Sequence, residues 1–198
     1  LTIVDTCRDN KDKMDDCLAK IDVSAKHLLS LVNDVLDMTK LERDTFTLES
    51  KPFNLDRVCI EAAEIVCFQA ESAGLHVEEE HPDVRNVNLL GSELYLKKIL
   101  LNLFSNCIKY NKPGGAIYTR MRELEHTDDT VTYEFFIRDT GVGMTQDFID
   151  NHLFEAFTQG DNAARSQYGG TGLGMSIVAQ LVKKMNGTIQ VESTVGEG

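Results

Sequence analysis

The first stretch of the chain carries a hydrophobic pattern of helical period. Between residues 14 and 35, the spacing of apolar residues alternates between four and three. The positions are Met14, Leu18, Ile21, Ala25, Leu28, Val32 and Val35. This pattern is typical of a coiled coil or a helix-bundle seam, and Leu29 and Leu36 widen the apolar stripe in favour of a bundle. One such helix cannot close a four-helix bundle alone, so the pattern predicts a homodimer through the N-terminal helices.

Beyond this helix the pattern shortens, and its first part predicts a strand followed by a helix. Residues 45–50 alternate between apolar and polar positions as in a strand. Pro52 then opposes helix formation, and Asn54 or Asp56 is suited to cap the helix that follows. Gly74 marks the end of that helix.

The remaining segments alternate between strand-like and helix-like patterns. Strands are predicted at 75–80, 116–123, 131–139 and 188–193, and helices at 92–110 and 174–185. Strands that pair mainly with their neighbours, separated by two or three helices, predict an α+β fold. In this two-layer sandwich, three helices cover one face of a mixed sheet.

Composition narrows the range of partners and compartments. The formal net charge is −12 over 198 residues, which argues against nucleic acid as a partner because phosphate contacts need clustered Lys and Arg. No apolar run reaches the roughly 18 to 20 residues that span a bilayer, so any membrane attachment is expected in regions outside this sequence. The five cysteines form no C-x-x-C pair, which predicts a reduced, cytoplasmic chain without disulfides or a zinc site.

A glycine-bearing turn follows the predicted strand 131–139. In RDTGVGM (138–144), Gly141 and Gly143 permit a tight turn and a close approach of the backbone to a ligand. The carboxylate of Asp139 stands at the end of the strand and faces that turn. An ordinary Asp-Gly turn that closes a strand is an equally good interpretation of this segment alone.

A second glycine-rich segment, YGGTGLGMSIV (168–178), is predicted to be a loop that runs into a helix. Its backbone N–H groups and the positive end of the helix dipole are suited to a phosphate chain. The segment matches neither G-x-x-x-x-G-K-[ST] nor the dinucleotide pattern G-x-G-x-x-G. A flexible glycine loop without a ligand is the alternative for this segment alone.

The predicted helix 92–110 combines an apolar surface with one polar stripe. Asn102, Asn106 and Lys109 recur at spacings of four and three, so they share a face. Buried amides are costly unless they are paired, which points to a ligand or a metal on that face. An amide oxygen suits Mg²⁺, which takes few protein ligands and completes its octahedron with phosphate oxygens and water. Hydrogen bonds from the two asparagines to neighbouring loops are the alternative.

Four segments, taken in order, resemble the nucleotide-binding boxes of the sensor histidine kinase catalytic domain, a member of the gyrase, Hsp90, histidine kinase and MutL superfamily. They are NLFSNCIKY (102–110), DTGVG (139–143), FEAFTQ (154–159) and GGTGLGMSIV (169–178). KHLLSLVNDVLDMTKLE (26–42) resembles the second helix of the kinase dimerisation domain, and FTQGD and RSQYGG resemble hybrid kinases. The resemblance implies a Bergerat-type ATP-binding domain at 45–198, preceded by a partial dimerisation and phosphotransfer segment at 1–44.

The resemblance implies roles for the polar helix and the aspartate turn. Asn106 is implied to coordinate Mg²⁺ with Asn102 beside it, and these two residues and Lys109 form the implied catalytic set. Lys109 and Tyr110 are implied to face the nucleotide. Asp139 is implied to accept a hydrogen bond from the adenine amino group, which discriminates adenine from guanine.

The resemblance also implies how the glycines and a lid contribute. Gly141 and Gly143 are implied to let the base approach. Phe154 and Phe157 are implied to anchor one end of a lid at about residues 158–168, whose small and polar residues predict mobility until nucleotide orders it. The implied triphosphate contacts of the lid and the glycine loop come from Arg165, Gly170, Thr171, Gly172, Leu173 and Gly174. A solvated arginine is the alternative for the first of these.

The reaction that the resemblance implies is phosphoryl transfer from ATP to a histidine. In the family, the acceptor lies in an H-[ED]-x-x-[TN] setting on the first bundle helix, and none of the five histidines here fits. The acceptor is therefore expected upstream of this sequence, and His27 is expected on the bundle surface. A response-regulator receiver domain, whose aspartate takes the phosphate next, is the implied partner.

Two other classes of function stay open. An ATP hydrolase or clamp of the same superfamily places a glutamate four residues before the metal-binding asparagine to activate water, and here that position is Asn102. A docking module that binds no nucleotide is the other alternative. Asp139, Asn106 and the glycine segments argue against it.

Overall fold

The computed structural model describes residues 11–43, 45–80, 84–158 and 171–198. The helices are α1 (Lys11–Leu41), α2 (Leu55–Ser72), α3 (Glu93–Lys109), α4 (Gln146–Asn151) and α5 (Gly174–Lys184). The strands are β1 (Lys51–Asn54), β2 (His76–Glu79), β3 (Asn88–Gly91), β4 (Ala116–His126) and β5 (Val131–Asp139). Among these described helices, none combines the length and the apolar composition needed to cross a bilayer. The predicted α+β class is confirmed.

The strands form two small sheets. β1 pairs antiparallel with β3, so that Phe53 lies opposite Leu89. In the second sheet, β4 lies between β2 and β5, parallel to β2 and antiparallel to β5. Ile117 of β4 pairs with Asp139. The register of the central strand therefore fixes the position of the last residue of β5.

Helix α3 contributes to two hydrophobic clusters. The sheet-side cluster joins α2, α3 and β4 and includes Val58, Ala62, Val66, Leu100, Phe104, Cys107 and Ile117. The helix-side cluster joins the end of α1, α3 and α5 and includes Leu41, Ile99, Leu173, Ile177, Val178 and Leu181. Because α3 is packed on two sides, the direction of its polar face is fixed.

Both ends of α2 lie where the sequence predicts them. The Asn54 side chain accepts a hydrogen bond from the Arg57 N–H at 3.0 Å and caps the helix. Gly74 follows the helix with φ of +69°, a left-handed conformation that glycine adopts at little cost. The prediction of this helix from its capping residue and its terminating glycine is confirmed.

The strand predicted at residues 45–50 is wrong, and the strand in this region is β1 instead. Phe46 packs edge-to-face on Tyr95, with ring centroids 5.9 Å apart. Leu48 also packs against the helix-side cluster. The alternating apolar residues of this segment therefore fill a gap between helices and pair with no neighbouring strand.

The strand predicted at 188–193 is also absent from the structure. Ile189 packs against the helix-side cluster. The Ser193 hydroxyl accepts the Met144 N–H at 2.9 Å and donates to the Gly198 carbonyl at 2.7 Å. Side-chain hydrogen bonds of Ser193 therefore hold this segment, which was predicted to form the backbone hydrogen bonds of a strand. Conversely, the structure contains β3 and α4, which no pattern in the sequence indicated.

The heptad positions of α1 are largely exposed in the single chain. The apolar residues between 42% and 62% exposed are Leu18, Ile21, Leu28, Leu29, Val32, Val35 and Leu36. An apolar helix face of this extent is usually packed against other helices. The exposed face supports the homodimer, which stays a prediction.

Cysteine reactivity follows from the packing of α2. Burial, together with the charges of Asp56 and Glu79, raises the pKa of the Cys59 thiol to about 11. A raised pKa keeps the thiol protonated at pH 8, and only the thiolate reacts with an alkylating agent. We expect iodoacetamide to label the exposed Cys67 of the same helix at least about tenfold faster than Cys59. Peptide mapping by mass spectrometry measures both rates in one sample, with labelling in denaturant as the control. Equal rates in the folded protein would contradict the burial of Cys59.

Candidate functional site

The polar face of α3 carries two asparagines and a lysine, as the spacing predicts. Asn102 and Asn106 are half-buried. The hydrogen bonds of the described residues include none from either side-chain amide. Lys109 donates from Nζ to the Tyr110 hydroxyl at 2.9 Å and lies 4.6 Å from the centre of that ring. Half-buried amides with no hydrogen bond to another described residue are suited to bind a ligand.

The turn after β5 is held by the C-terminal end of α3. The Asp139 carboxylate accepts the Gly141 N–H at 2.8 Å, and the Tyr110 carbonyl accepts the Val142 N–H at 3.0 Å. A Cβ on Gly141 would overlap the Tyr110 carbonyl oxygen and would lie 2.6 Å from Asp139 Oδ1. Gly143 has φ of +67°. The first glycine is therefore required by lack of space. The second is required both by its backbone conformation and by lack of space, since a Cβ there would overlap the Thr194 carbonyl oxygen.

Cys107 connects the buried side of α3 to the same turn. Burial raises the pKa of the Cys107 thiol, and the charge of Asp139 and a hydrogen bond to its carboxylate raise it further. The side chain is 8% exposed. Sequence reasoning missed this contact, because a cysteine on an apolar helix face carries no local signal of its own. The Cys107 side chain therefore lies near the residue that ends β5.

The glycine loop meets α3 at Asn102. α5 begins at Gly174, and a Cβ there would lie 3.1 Å from Asn102 Oδ1. Gly172 has φ of +68°. The N-terminal end of α5 therefore lies beside the polar face of α3. Such an end carries partial positive charge and unpaired backbone N–H groups, which favour an anionic ligand.

Phe157 links the segment before the predicted lid to the glycine loop. Its N–H donates to the Gly172 carbonyl at 3.0 Å, and its own φ is +65°. A Cβ on Gly172 would lie 2.8 Å from the carbonyl carbon of Phe157 and 2.9 Å from the Thr158 nitrogen. The Phe157 side chain is 64% exposed, whereas Phe154 is half-buried. The glycine loop therefore contacts the backbone of Phe157 and leaves its ring largely exposed.

Thr171 and Leu173, two other loop residues predicted to contact the triphosphate, differ in which atoms a ligand can reach. The Thr171 hydroxyl accepts the Leu173 N–H at 3.0 Å. The Leu173 side chain is fully buried in the helix-side cluster, so only its backbone is left to approach a ligand. Arg165, Gly170 and the greater part of the predicted lid lie outside the described residues.

The end of α1 reaches the glycine loop, a contact that no sequence pattern indicated. The Thr171 hydroxyl donates to Asp34 at 3.4 Å. Lys98 of α3 pairs with both Asp34 and Asp37, whose side chains are only 15% and 20% exposed. Ion pairs shielded in this way are screened less by salt than exposed pairs. α1, α3 and the loop are therefore connected by one polar network.

The chemistry of this region suits an anion together with a hard cation. Among the described residues, no group of three His, Cys, Asp or Glu side chains lies close enough to hold a metal ion. The amide oxygens of Asn102 and Asn106 are hard donors, sufficient for a cation that takes most of its ligands from phosphate and water. Lys109 adds positive charge at the same helix. Two cavities elsewhere in the described chain, beside Arg85 and beside Arg120, include none of these residues.

Comparisons with known proteins agree with this chemistry. Residues 91–198 match the family model described as histidine kinase-, DNA gyrase B- and HSP90-like ATPase. The sensor histidine kinase GacS of Pseudomonas protegens is 39% identical over 183 residues, which are 92% of this chain and 20% of GacS. BarA of Escherichia coli (strain K12), a signal transduction histidine-protein kinase, is 37% identical over 188 residues, with 92% and 20% covered. The crystal structure of full-length ShkA in complex with AMPPNP has a TM-score of 0.72 at 27% identity and covers 93% of this chain and 37% of ShkA. The chain spans about a fifth of the length of the curated relatives it matches.

Proposed function

Because this chain belongs to the family of histidine kinase-, DNA gyrase B- and HSP90-like ATPases, we propose that it binds Mg-ATP and donates the γ-phosphate to a histidine. Its ATPase domain is that of a sensor histidine kinase. The acceptor histidine lies on the dimerisation domain, outside this sequence. An aspartate of a response-regulator receiver domain takes the phosphate from that histidine.

The proposal rests on one observation: the turn at Asp139 and the beginning of α5 both lie against α3, on either side of Asn106. The turn after Asp139 is attached to the C-terminal end of the helix by the hydrogen bond from the Val142 N–H to the Tyr110 carbonyl, and Cys107 lies near Asp139. The beginning of α5 lies against Asn102, nearer the middle of the helix. Asn106 lies between these two contacts along the chain. An acceptor suited to an adenine amino group and donors suited to a phosphate chain therefore lie on either side of Asn106, a hard donor suited to the Mg²⁺ that such phosphates carry.

The chain's own residues cover the donor half of the reaction. Phosphoryl transfer depends mainly on positioning and on neutralising charge, and it asks little covalent chemistry of the protein. Asn106 would hold Mg²⁺ through its amide oxygen, with Asn102 one turn before it, and the ion when bound supplies charge neutralisation at the phosphates. Lys109 supplies fixed positive charge, and the backbone N–H groups at Gly172 and Gly174 orient the triphosphate. AMPPNP, the ligand named for the ShkA structure, is an ATP analogue and supports the same cofactor here.

The proposed domain organisation assigns residues 1–44 to the dimerisation segment and 45–198 to the ATP-binding domain. The exposed heptad face of α1 supports a homodimer. Leu41, at the end of α1, is 3% exposed and packs with Leu173 and Ile177. The two segments therefore share the helix-side cluster at their junction.

A titration with a non-hydrolysable ATP analogue, with and without Mg²⁺, tests nucleotide binding by calorimetry. Binding in the micromolar range that strengthens with Mg²⁺ is expected. Absence of binding in both conditions would favour a docking module, the alternative that lacks nucleotide.

A second experiment separates a kinase from a hydrolase. The chain is mixed with ATP and a separate fragment that bears an acceptor histidine, and acid-labile phosphate on the fragment is measured alongside free phosphate. Phosphate on the fragment is expected, because Asn102 occupies the position at which a hydrolase of this superfamily places its glutamate base. Free phosphate released without any transfer would favour the hydrolase.

The glycine loop allows a matched pair of variants. Gly172 and Gly74 have almost the same φ, +68° and +69°, but a Cβ meets the Phe157 and Thr158 backbone at Gly172 and nothing within 4 Å at Gly74. Alanine at either position should lower the free energy of unfolding by about 1–2 kcal/mol through left-handed strain. Gly172→Ala should in addition weaken binding of the ATP analogue about tenfold, since overpacking displaces the loop.

Calorimetric titration of both variants measures the difference. Gly74→Ala should keep the affinity of the wild type. Equal affinities in the two variants would show that the close packing of Gly172 on Phe157 has no part in nucleotide binding.

A further inference from the structure

Asn111, two residues after the end of α3, is a buried polar residue that the mechanism above does not use. It is 6% exposed. Its Oδ1 accepts the Lys112 N–H at 2.9 Å and the Thr140 hydroxyl at 3.2 Å, and its Nδ2 donates to the Ala116 carbonyl at 3.2 Å. A buried amide satisfied on both sides is held in one orientation. It joins the loop after α3 to the residue that follows Asp139.

Thr140 is the other member of this network. Its hydroxyl accepts the Ala116 N–H at 2.9 Å, and its own N–H donates to the Ala116 carbonyl at 3.1 Å. Gly115 leaves no free space beside it, since a Cβ there would overlap Asn111 Oδ1 and lie 2.7 Å from the Thr140 hydroxyl oxygen. Both the backbone and the side chain of Thr140 are therefore fixed.

Fixing Thr140 fixes its neighbour. Thr140 stands between Asp139 and Gly141, and the Gly141 N–H bonds to the Asp139 carboxylate. The direction of that carboxylate consequently depends on the backbone of Thr140. Hydrogen bonds weaken steeply with angle, and a recognition group works only when its supporting shell holds it within about 0.5 Å.

We propose that Asn111 and Thr140 are positioning residues that aim the Asp139 carboxylate at adenine. This inference rests on the proposed function of the site. Neither residue has to touch the nucleotide. Both act through Asp139, and they couple the end of the helix that bears Asn106 to the turn that reads the base.

Thr140→Val and Thr140→Ser test the pair. Valine keeps the shape of threonine and removes the hydroxyl, whereas serine keeps the hydroxyl. With Mg²⁺ present, Thr140→Val should bind the ATP analogue about tenfold more weakly, because a misdirected Asp139 carboxylate loses about the net contribution of one hydrogen bond to adenine. It should also discriminate less between ATP and GTP analogues. Thr140→Ser should restore both quantities to near the wild type. If Thr140→Val is less stable but keeps its affinity and its base preference, the hydroxyl is only structural and the inference is wrong.

A double-mutant cycle tests whether the effect passes through Asp139. Thr140→Val is combined with Asp139→Asn, and binding is followed by NMR at millimolar nucleotide. No further loss in the double variant is expected, whereas additive losses would overturn the positioning role. If Thr140→Val does not fold, Thr140→Ala takes its place in both experiments. A wild type that binds no ATP analogue would instead refute the proposed function, so the two failures are distinguishable.

Discussion

Asp139→Asn is expected to lower the affinity for an ATP analogue by about 10- to 150-fold, while the protein keeps its fold. A hydrogen bond to a charged group contributes roughly 1.5–3 kcal/mol, which corresponds to that range. The carboxylate only accepts hydrogen bonds, whereas the amide also presents donors. Asparagine has nearly the shape of aspartate, so the contacts to Gly141 and Cys107 lose charge but little packing. The preference for adenine over guanine should fall together with the affinity.

Calorimetric titrations with ATP and GTP analogues measure both effects, and far-ultraviolet circular dichroism checks the fold. Asp128→Asn is the matched control, since Asp128 is an exposed carboxylate in the turn between β4 and β5. It should bind like the wild type. Unchanged affinity in Asp139→Asn would remove the adenine assignment from this turn and, with it, the orientation proposed for the nucleotide along α3.

Asn106→Ala is expected to remove most of the dependence of nucleotide binding on Mg²⁺. In the proposed site, the ion would take one protein ligand from the Asn106 amide and its other ligands from phosphate and water. Without that amide, affinities measured with Mg²⁺ and with a chelator should become nearly equal. Transfer of phosphate to a histidine-bearing fragment should fall by about 10²–10³-fold, the usual loss when one group that stabilises transition-state charge is removed.

Titrations in Mg²⁺ and in EDTA give the ratio of affinities, and acid-labile phosphate gives the rate of transfer. Gln69→Ala is a suitable control, because Gln69 is an exposed amide on α2, away from the polar face of α3. Its ratio should match that of the wild type. If Asn106→Ala also kept the wild-type ratio, a different residue would have to hold the cation.

Local signals predicted local structure well. β5 begins and ends where the alternation of VTYEFFIRD does, and Asn54 caps α2 because its side chain reaches a backbone N–H three residues on. The spacing of Asn102, Asn106 and Lys109 likewise predicted that they share one face, because residues three or four apart in a helix lie on the same side.

Contacts between distant residues were beyond such reasoning. Neither the Cys107 contact with Asp139 nor the hydrogen bond from Thr140 to Asn111 has a periodic pattern, since each joins residues about thirty positions apart. The strand predictions at 45–50 and 188–193 were wrong for the same reason. Their alternation is real, but a strand also needs a partner edge, and the packing of helices decides whether one is available.

The double packing of α3 limits how the site can open. With Ile99 in the helix-side cluster and Leu100 and Phe104 in the sheet-side cluster, displacement of this helix would break both cores at once. Such a helix opens only with the global unfolding of its domain, at the full free energy of that reaction. Under the proposed function, replacement of ADP by ATP would therefore require movement of the segments around α3 while the helix itself stays in place.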